Sequence, residues 1–363
     1  QHFVEHERWA PEEVSQPGIQ GETRMTNKAF KYVSAGAHRC GERYLRSLAV
    51  RGWCMALALL LSVPVLGNQQ QARGVSLEGV PEGTAWVVDA RAAHLAALPV
   101  FQRLSREGRF GGARFQRLQG LAQLAGINAT TDVYRVQVMS LGGDKGTTAI
   151  IDGAWNRARL LQTIQTLPGL RKLTVQGLEL LRYEGASSGE TCILHIPGER
   201  RLLVGETPEG VAAVARALAR PGVPPDTTRA FGGMTRASPA ALLVLGARDG
   251  TALMELVPDG AMLLQAQAIM VQMGRMRQDR LGINMVAQGA DEASAASMAG
   301  VLTAMQAMLT YRAQSDPQWA TLAQSIQVKS EDTRLRAGCE VDAGLTYTLL
   351  STMMREFKRK GIW

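Results

Sequence analysis

The sequence predicts an α+β protein: a weakly duplicated chain with an antiparallel or mixed sheet and helices packed on one face. Three observations carry this reading. Several candidate strands alternate apolar and polar residues, the mark of a sheet with one buried and one wetter face. Each half opens with a strand ending in Ala-Arg, at Ala90-Arg91 and Ala247-Arg248, and continues as helix, strand, helix and strand hairpin. The composition is 46% hydrophobic but only 5% aromatic, which suits aliphatic packing of helices on a sheet.

Residues 1–54 read as a disordered or basic leader. Residues 1–24 are polar and aperiodic. Between Met25 and Arg51 stand Lys28, Lys31, Arg39, Arg43, Arg46 and Arg51 against a single acid, Glu42. The following stretch, Met55–Gly67 (MALALLLSVPVLG), carries no charge. It is too short to span a bilayer, which takes about 20 apolar residues. Its length is that of the apolar region of a secretory signal peptide, and Val65 and Gly67 place small residues at −3 and −1 of a cleavage after Gly67. The expected destination is export, to the periplasm or the medium, with a membrane anchor as the outcome if the segment is retained. Residues 68–81 read as a linker, 82–220 as the first α+β half, 221–238 as a second linker rich in Pro, Gly and Thr, and 239–363 as the second half.

In the first half, Thr84–Ala90 is a strand. Arg91–Gly108 follows as a helix that Pro99 kinks or restarts, and Ala113–Ala125 as a second one. Val133–Leu141 and Thr147–Asp152 pair around Gly142-Gly143-Asp144-Lys145-Gly146. That loop lacks the G-x-x-x-x-G-K-[ST] pattern and precedes a strand, so turn chemistry accounts for its glycines. Trp155–Leu167 is helical, and Leu170–Gly205 is a run of strands with a turn expected at Pro197-Gly198. Thr207 caps a helix that has Pro208 in its first position.

In the second half, Ala240–Ala247 is a strand and Leu253–Arg277 reads as mostly helical, with Met262, Ala266, Met270, Met273 and Met276 at helical spacing. Arg280–Gly289 alternates as a strand. Asp291 caps a helix to about Arg312, and Pro317–Ser325 is a short helix. Ile326–Ser330 and Thr333–Ala343 form a hairpin, and Tyr347–Arg359 is a closing helix.

The candidate chemistry is sparse. Downstream of the apolar run stand Cys192 and Cys339, each on the apolar face of an expected strand, so two separate thiols are expected rather than a disulfide. The only histidines there are His94 and His195, and no His/Cys cluster has ligand spacing, so neither a metal nor another cofactor is expected. Gly185-Ala186-Ser187-Ser188-Gly189 matches G-x-S-x-G, which places Ser187 as a nucleophile only if a strand precedes and a helix follows. Here a strand follows.

Arg103, Arg106, Arg109, Arg114 and Arg117 decorate the early helices and offer an anion-binding face; the plainer alternative is stems lying on apolar surface with heads in water. Met262, Met270, Met273, Met298 and Met305 are candidates to line an apolar site, since Met adapts to irregular apolar partners; the plainer alternative is core filling. The excess of 40 Lys+Arg over 32 Asp+Glu is mild and its charges are scattered, so nucleic acid is not expected as a partner.

The order strand, Ala-rich helix, Leu124–Ile127, Asp132 before a strand, hairpin and helix resembles a family of exported bacterial α+β proteins. So do the Leu203–Gly205 strand end before a Thr/Pro-capped helix, the passage over 282–302 and the final hairpin over 328–341. The resemblance runs from about Val80 to Leu350 and implies export and an α+β fold, with no activity to carry onto particular residues. Three readings of function follow. The first is an exported non-catalytic protein that binds an apolar ligand, a protein partner or the cell envelope. The second is a serine-type hydrolase using Ser187 with His195 or His94, and the third an anion-binding module using the Arg103–Arg117 face.

Overall fold

The computed structural model describes residues 77, 79–107, 126–128, 131–184, 191–220, 222, 230–231, 241–254, 263–275 and 280–359. Twelve strands form one open sheet in the order β11-β12-β10-β9-β8-β1-β2-β3-β7-β6-β5-β4, and every neighbouring pair is antiparallel.

The first half supplies β1 (Trp86–Ala90), α1 (Ala92–Ala96), α2 (Pro99–Arg106), β2 (Val133–Ser140), β3 (Thr147–Gly153), α3 (Arg157–Gln165), β4 (Leu170–Val175), β5 (Leu178–Glu184), β6 (Thr191–Gly198), β7 (Arg201–Gly205) and α4 (Pro208–Ala219). The second supplies β8 (Ala241–Ala247), α5 (Gly250–Met254), β9 (Ala266–Arg275), β10 (Leu281–Gly289), α6 (Glu292–Ser315), α7 (Ala320–Ser325), β11 (Gln327–Glu331), β12 (Arg334–Val341) and α8 (Ala343–Arg359).

The duplication is visible in the topology. Outward from the centre, β1-β2-β3-β7-β6 on one side mirrors β8-β9-β10-β12-β11 on the other, with β4–β5 as an added hairpin in the first half. The two halves meet where β1 pairs β8, with Val88 opposite Leu245. Around that pair the backbone bonds repeat: the Arg91 amide donates to Leu242 O at 2.8 Å, and the Arg248 amide to Ala85 O at 2.9 Å. The Ala-Arg strand ends are therefore the two equivalent ends of one seam.

The helix caps repeat as well. Asn156 Oδ1 accepts from the Arg159 amide at 2.9 Å and Asp291 Oδ1 from the Ser294 amide at 2.7 Å, starting α3 and α6. Thr207 Oγ1 accepts from the Gly210 amide at 3.1 Å and Asp342 Oδ1 from the Leu345 amide at 2.8 Å, starting α4 and α8. Each side-chain oxygen satisfies an amide that the first turn leaves without a partner.

One face of the sheet, here the front, carries Trp86, Val88, Ala90, Val136, Val138, Ala149 and Ile151, joined by Ile269, Leu281, Ala287 and Leu335 of the second half. α1, α2 and α5 pack on it through Leu95, Phe101, Leu104 and Leu253, α6 through Met298, and α8 through Tyr347 and Leu350. α3 adds Leu160 and Ile164 over Ile196 and Leu194. Helices thus cover the front throughout. On the back face, Val87, Met139, Ile150, Leu203, Ile193 and Leu180 are covered by Val211 and Val214 of α4 and by Phe231.

Two local expectations change. The segment read as mostly helical over Leu253–Arg277 holds only the short helix α5 at its start; Ala266–Arg275 is strand β9, paired on both sides with β8 and β10. A central strand buried on both faces carries a near-continuous apolar run, which satisfies a helical period and a strand period alike. The turn between β6 and β7 is Glu199-Arg200, not Pro197-Gly198. β6 runs on to Gly198, which pairs with Arg201, and Pro197 falls in an irregular stretch of the ladder where its missing amide is tolerated. The expected helix over Ala113–Ala125 lies outside the described residues.

Cys192 lies on β6 and Cys339 on β12, and no disulfide joins them. Eight strand intervals separate them, on the order of 38 Å at the usual spacing, whereas a disulfide needs Cα atoms within about 7 Å. Burial also pushes the Cys339 thiol up from its ordinary range. Peptide mapping of the purified protein should therefore find no Cys192–Cys339 disulfide, and Cys339 should react with iodoacetamide slowly until the protein unfolds. That disulfide in the map would contradict the sheet order.

Candidate functional site

The sheet's polar side chains gather at two places. The first is a row across the back of β1, β2, β3 and β7. Arg135 pairs opposite Asp152, and Asp152 opposite Arg201. Arg135 Nε donates to both oxygens of Asp89, at 2.9 and 3.0 Å, and its Nη2 also bonds Oδ2. Arg201 Nε donates to Asp152 Oδ1 at 2.6 Å, and Arg135 Nη1 stands 3.7 Å from Asp152 Oδ2. The Asp89 side chain is only 3% exposed. Arg91 is also buried, and desolvation lowers its pKa, with Asp89 opposing that shift and Arg135 adding to it. This row is internally paired, with Asp89 deeply seated and Arg201 reaching solvent at the other end. It fixes the register of four strands and offers no open chemistry.

The second place is the back of the second half. In the first half α4 covers this side. Its counterpart α8 packs on the front instead, against α2 and the main core. Among the described residues no helix lies over the back of β10, β12 and β11. Asn284, Val286 and Gln288 of β10 stand there opposite Gly338, Arg336 and Arg334 of β12, and Gln327, Lys329 and Glu331 of β11 continue the surface. Asn284, Arg334, Arg336, Gln327, Lys329 and Glu331 are exposed.

Charge on this surface is unbalanced. Glu331 pairs with Lys329, which holds its carboxyl below the usual range, and Glu340 pairs with Arg280 at 3.1 Å. Arg334 donates to Gln288 Oε1 at 3.1 Å and lies opposite Glu331, and Arg336 adds to the lowering of the Glu331 carboxyl, but among the described residues neither arginine forms an ion pair of its own. Two guanidinium groups two residues apart on one strand face are thus left for an incoming anion. From sequence alone, the second strand of the closing hairpin alternates Leu335, Ala337, Cys339 and Val341 inward with Arg334 and Arg336 outward, but the pattern does not say that the outward side stays uncovered.

The candidates from sequence are dispersed. Arg103 on α2 stacks over the Tyr347 ring of α8 at 3.9 Å and pairs with Glu107 at 3.0 Å, while the Tyr347 hydroxyl bonds Glu107. It thereby holds one helix to another. Arg106 is exposed at the end of α2, and Arg109, Arg114 and Arg117 lie outside the described residues. Met270 is buried on the back beside Val244 and Ala241, whereas Met273 and Met298 belong to the front core. Met305 is 39% exposed on α6, and Met262 lies outside the described residues. These four described methionines do not converge on one pocket.

Ser187 falls in the connection over 185–190, outside the described residues. The strands on either side, β5 and β6, pair antiparallel with Glu184 opposite Thr191. The element that follows is a strand, so the strand-to-helix setting that a nucleophile elbow requires is missing. His195 Nδ1 is 2.9 Å from Glu179 O on the sheet, and His94 sits on α1. Among the described residues no group of three or more His, Cys, Asp or Glu side chains is placed to hold a metal ion.

No family model matches the chain, and no curated protein matches it. Three crystal forms of TP0453, a protein of Treponema pallidum, are similar in structure. Form III has a TM-score of 0.45 at 13% identity over 77% of this chain and 99% of that one, and form IV 0.42 at 12% over 78% and 100%.

Proposed function

We propose that the chain is an exported, non-catalytic protein that docks an acidic segment of a protein partner on the uncovered back of β10, β12 and β11. One observation carries this reading. The internal duplication supplies a reference for what covers the back of a half, and in the second half that cover has moved to the front. The uncovered surface is polar, and its two acids, Glu331 and Glu340, are paired with Lys329 and Arg280, which leaves a positive excess at Arg334 and Arg336 that suits an acidic protein segment better than an apolar ligand. The described methionines among those candidates are core residues or stand apart. Export rests on Met55–Gly67 and its basic flank.

The test is position-resolved photo-crosslinking in a bacterium that carries the protein. A benzophenone side chain at Asn284 or Gln327 should give a discrete adduct, and one at Thr174, on the far edge strand, should not. The adduct should vanish in Arg334→Glu/Arg336→Glu and weaken as salt rises, because exposed charges are screened. Adducts absent at both face positions, or unaffected by the arginine changes, would overturn the reading. The mass of the purified protein should begin at Asn68; an intact Met55–Gly67 would instead indicate an anchored chain.

A further inference from the structure

The duplication that leaves the back of the second half uncovered also leaves that half a strand short. In the first half β6 does not end the sheet. β5 pairs antiparallel on its outer side, with Leu181 opposite Leu194, and β4 follows. The counterpart of β6 is β11, and among the described residues β11 has only β12 beside it. Its outer side is the place that β5 fills in the first half.

The backbone of β11 is set for such an addition. Asp332-Thr333 alone close the β11–β12 hairpin, and Asp332 takes φ 50°, the positive value that two-residue hairpin turns use. The residues flanking a turn of this length exchange backbone hydrogen bonds, so Glu331 and Arg334 form a bonded pair, and bonded and non-bonded pairs then alternate along the ladder. Lys329 and Gln327 are therefore bonded to β12, whereas Val328 and Ser330 turn their N–H and C=O groups to the open edge. A row of this kind is a template for another strand.

Side chains choose the kind of strand. Val328 faces the front, where it packs on the main core beneath α6. Gln327, Lys329 and Glu331 face the back, with Lys329 opposite Arg336. A strand added antiparallel, as every neighbour in this sheet is, continues an apolar row in front and a basic one behind. Its acids stand two strand spacings from β12, about 10 Å, a gap that a Glu reaching in and Arg336 reaching out bridge together. A short edge centred on a lysine is also a device against self-association. β11 reversed on itself about Lys329 sets lysine on lysine, and the other end of the sheet, β4, brings Arg171 and Lys172. Like charges directly opposite are unfavourable, so the edge selects an acidic strand over a second copy.

We propose that the partner's acidic segment adds to the sheet as an extended strand antiparallel to β11, alternating apolar residues beside Val328 in front with acids toward Lys329 and Arg336 behind. This rests on the docking surface proposed above and adds to it the partner's conformation and the line along which it binds. Main-chain bonds to Val328 and Ser330 hold the segment, and the alternate side chains select it.

Amide hydrogen exchange of the full chain, resolved to single residues, tests the edge, with an acetylated and amidated peptide of alternating Glu and Val as the probe. Without peptide, Val328 and Ser330 should exchange faster than Lys329. Peptide at about 1 mM, for a dissociation constant of about 0.1 mM, should slow both about tenfold, and the same peptide with Lys for Glu should not. Ser330→Pro removes one outward amide at a position where an edge strand tolerates proline. It should melt close to the wild type, lose the protection of Val328, and lose the crosslinked adducts at Asn284 and Gln327. Failure of the acidic peptide to protect Val328 and Ser330 would overturn the proposal. Adducts that persist in folded Ser330→Pro would overturn it too, while leaving the docking surface standing with its partner laid across the face. Protection that rises with protein concentration alone would give the edge to a second copy instead. Protection by the peptide with no adduct in the bacterium would keep β11 as a strand acceptor and remove the docking surface on the back.

Discussion

Replacing Asp89 with alanine is expected to destabilise the protein by about 3–5 kcal/mol, the range for breaking a buried ion pair by removing one partner. The reason is local. Asp89 accepts three hydrogen bonds from Arg135, and its side chain is 3% exposed. Its loss leaves the Arg135 guanidinium half-buried beside the buried Arg91, with one acid fewer to offset two positive charges. Asp152 compensates little, because Arg201 already holds it at 2.6 Å. Urea denaturation of wild type and Asp89→Ala at pH 7 measures the cost. Asp89→Leu combined with Arg135→Leu should recover part of it, since both members of the pair are removed while Arg91 stays buried without Asp89 beside it. A loss near 1 kcal/mol in the single variant, the size of one ordinary hydrogen bond, would show that the row is solvated rather than seated in the sheet.

That network was invisible in the sequence, and the reason is instructive. Asp89 and Arg135 are 46 residues apart, and no local pattern ties an acid late in one strand to a base early in the next. What was legible is what local physics decides. Thr207 with Pro208, and Asp291 before an apolar seam, announced helix starts, because a cap acts on amides within three residues of itself. Pro99 announced a break, and α1 ends at Ala96 before α2 begins at Pro99. The alternation of Leu281, Ile283, Met285 and Ala287 gave β10 and its inward face. By contrast Ala266, Ile269, Met270 and Met273 fit two periods at once, and only pairing with β8 and β10 decides between them.

The side of the sheet that each helix takes was not legible either. A stripe on α4 says that the helix is amphipathic, not which face it covers. The candidate surface depends on that choice. Arg334 and Arg336 were readable as outward-facing on β12, yet whether outward meant solvent or another layer was settled by α8 packing on the front through Tyr347 and Leu350.

Where the halves join, pattern and packing can be tested together. Trp86 lies opposite Ala247, and at the equivalent position Leu243 lies opposite Ala90. The alanine of each Ala-Arg end thus sits against the large residue of the other half, so its small size is a packing requirement of the seam. Trp86 is 1% exposed, and Trp86→Ala is expected to cost about 3–5 kcal/mol, the range for emptying a buried aromatic site. Leu243→Ala should cost less, because Leu243 is only half-buried. Ala247→Leu should cost about 1–3 kcal/mol through overpacking against the indole. The two changes share one space, so the double variant Trp86→Ala/Ala247→Leu should be more stable than the sum of the singles implies, by an amount typical of coupled neighbours, about 0.5–3 kcal/mol. Denaturation of the four proteins closes the cycle. Strict additivity would mean that the indole and the alanine do not share the seam, and with it the pairing of β1 with β8 would fall.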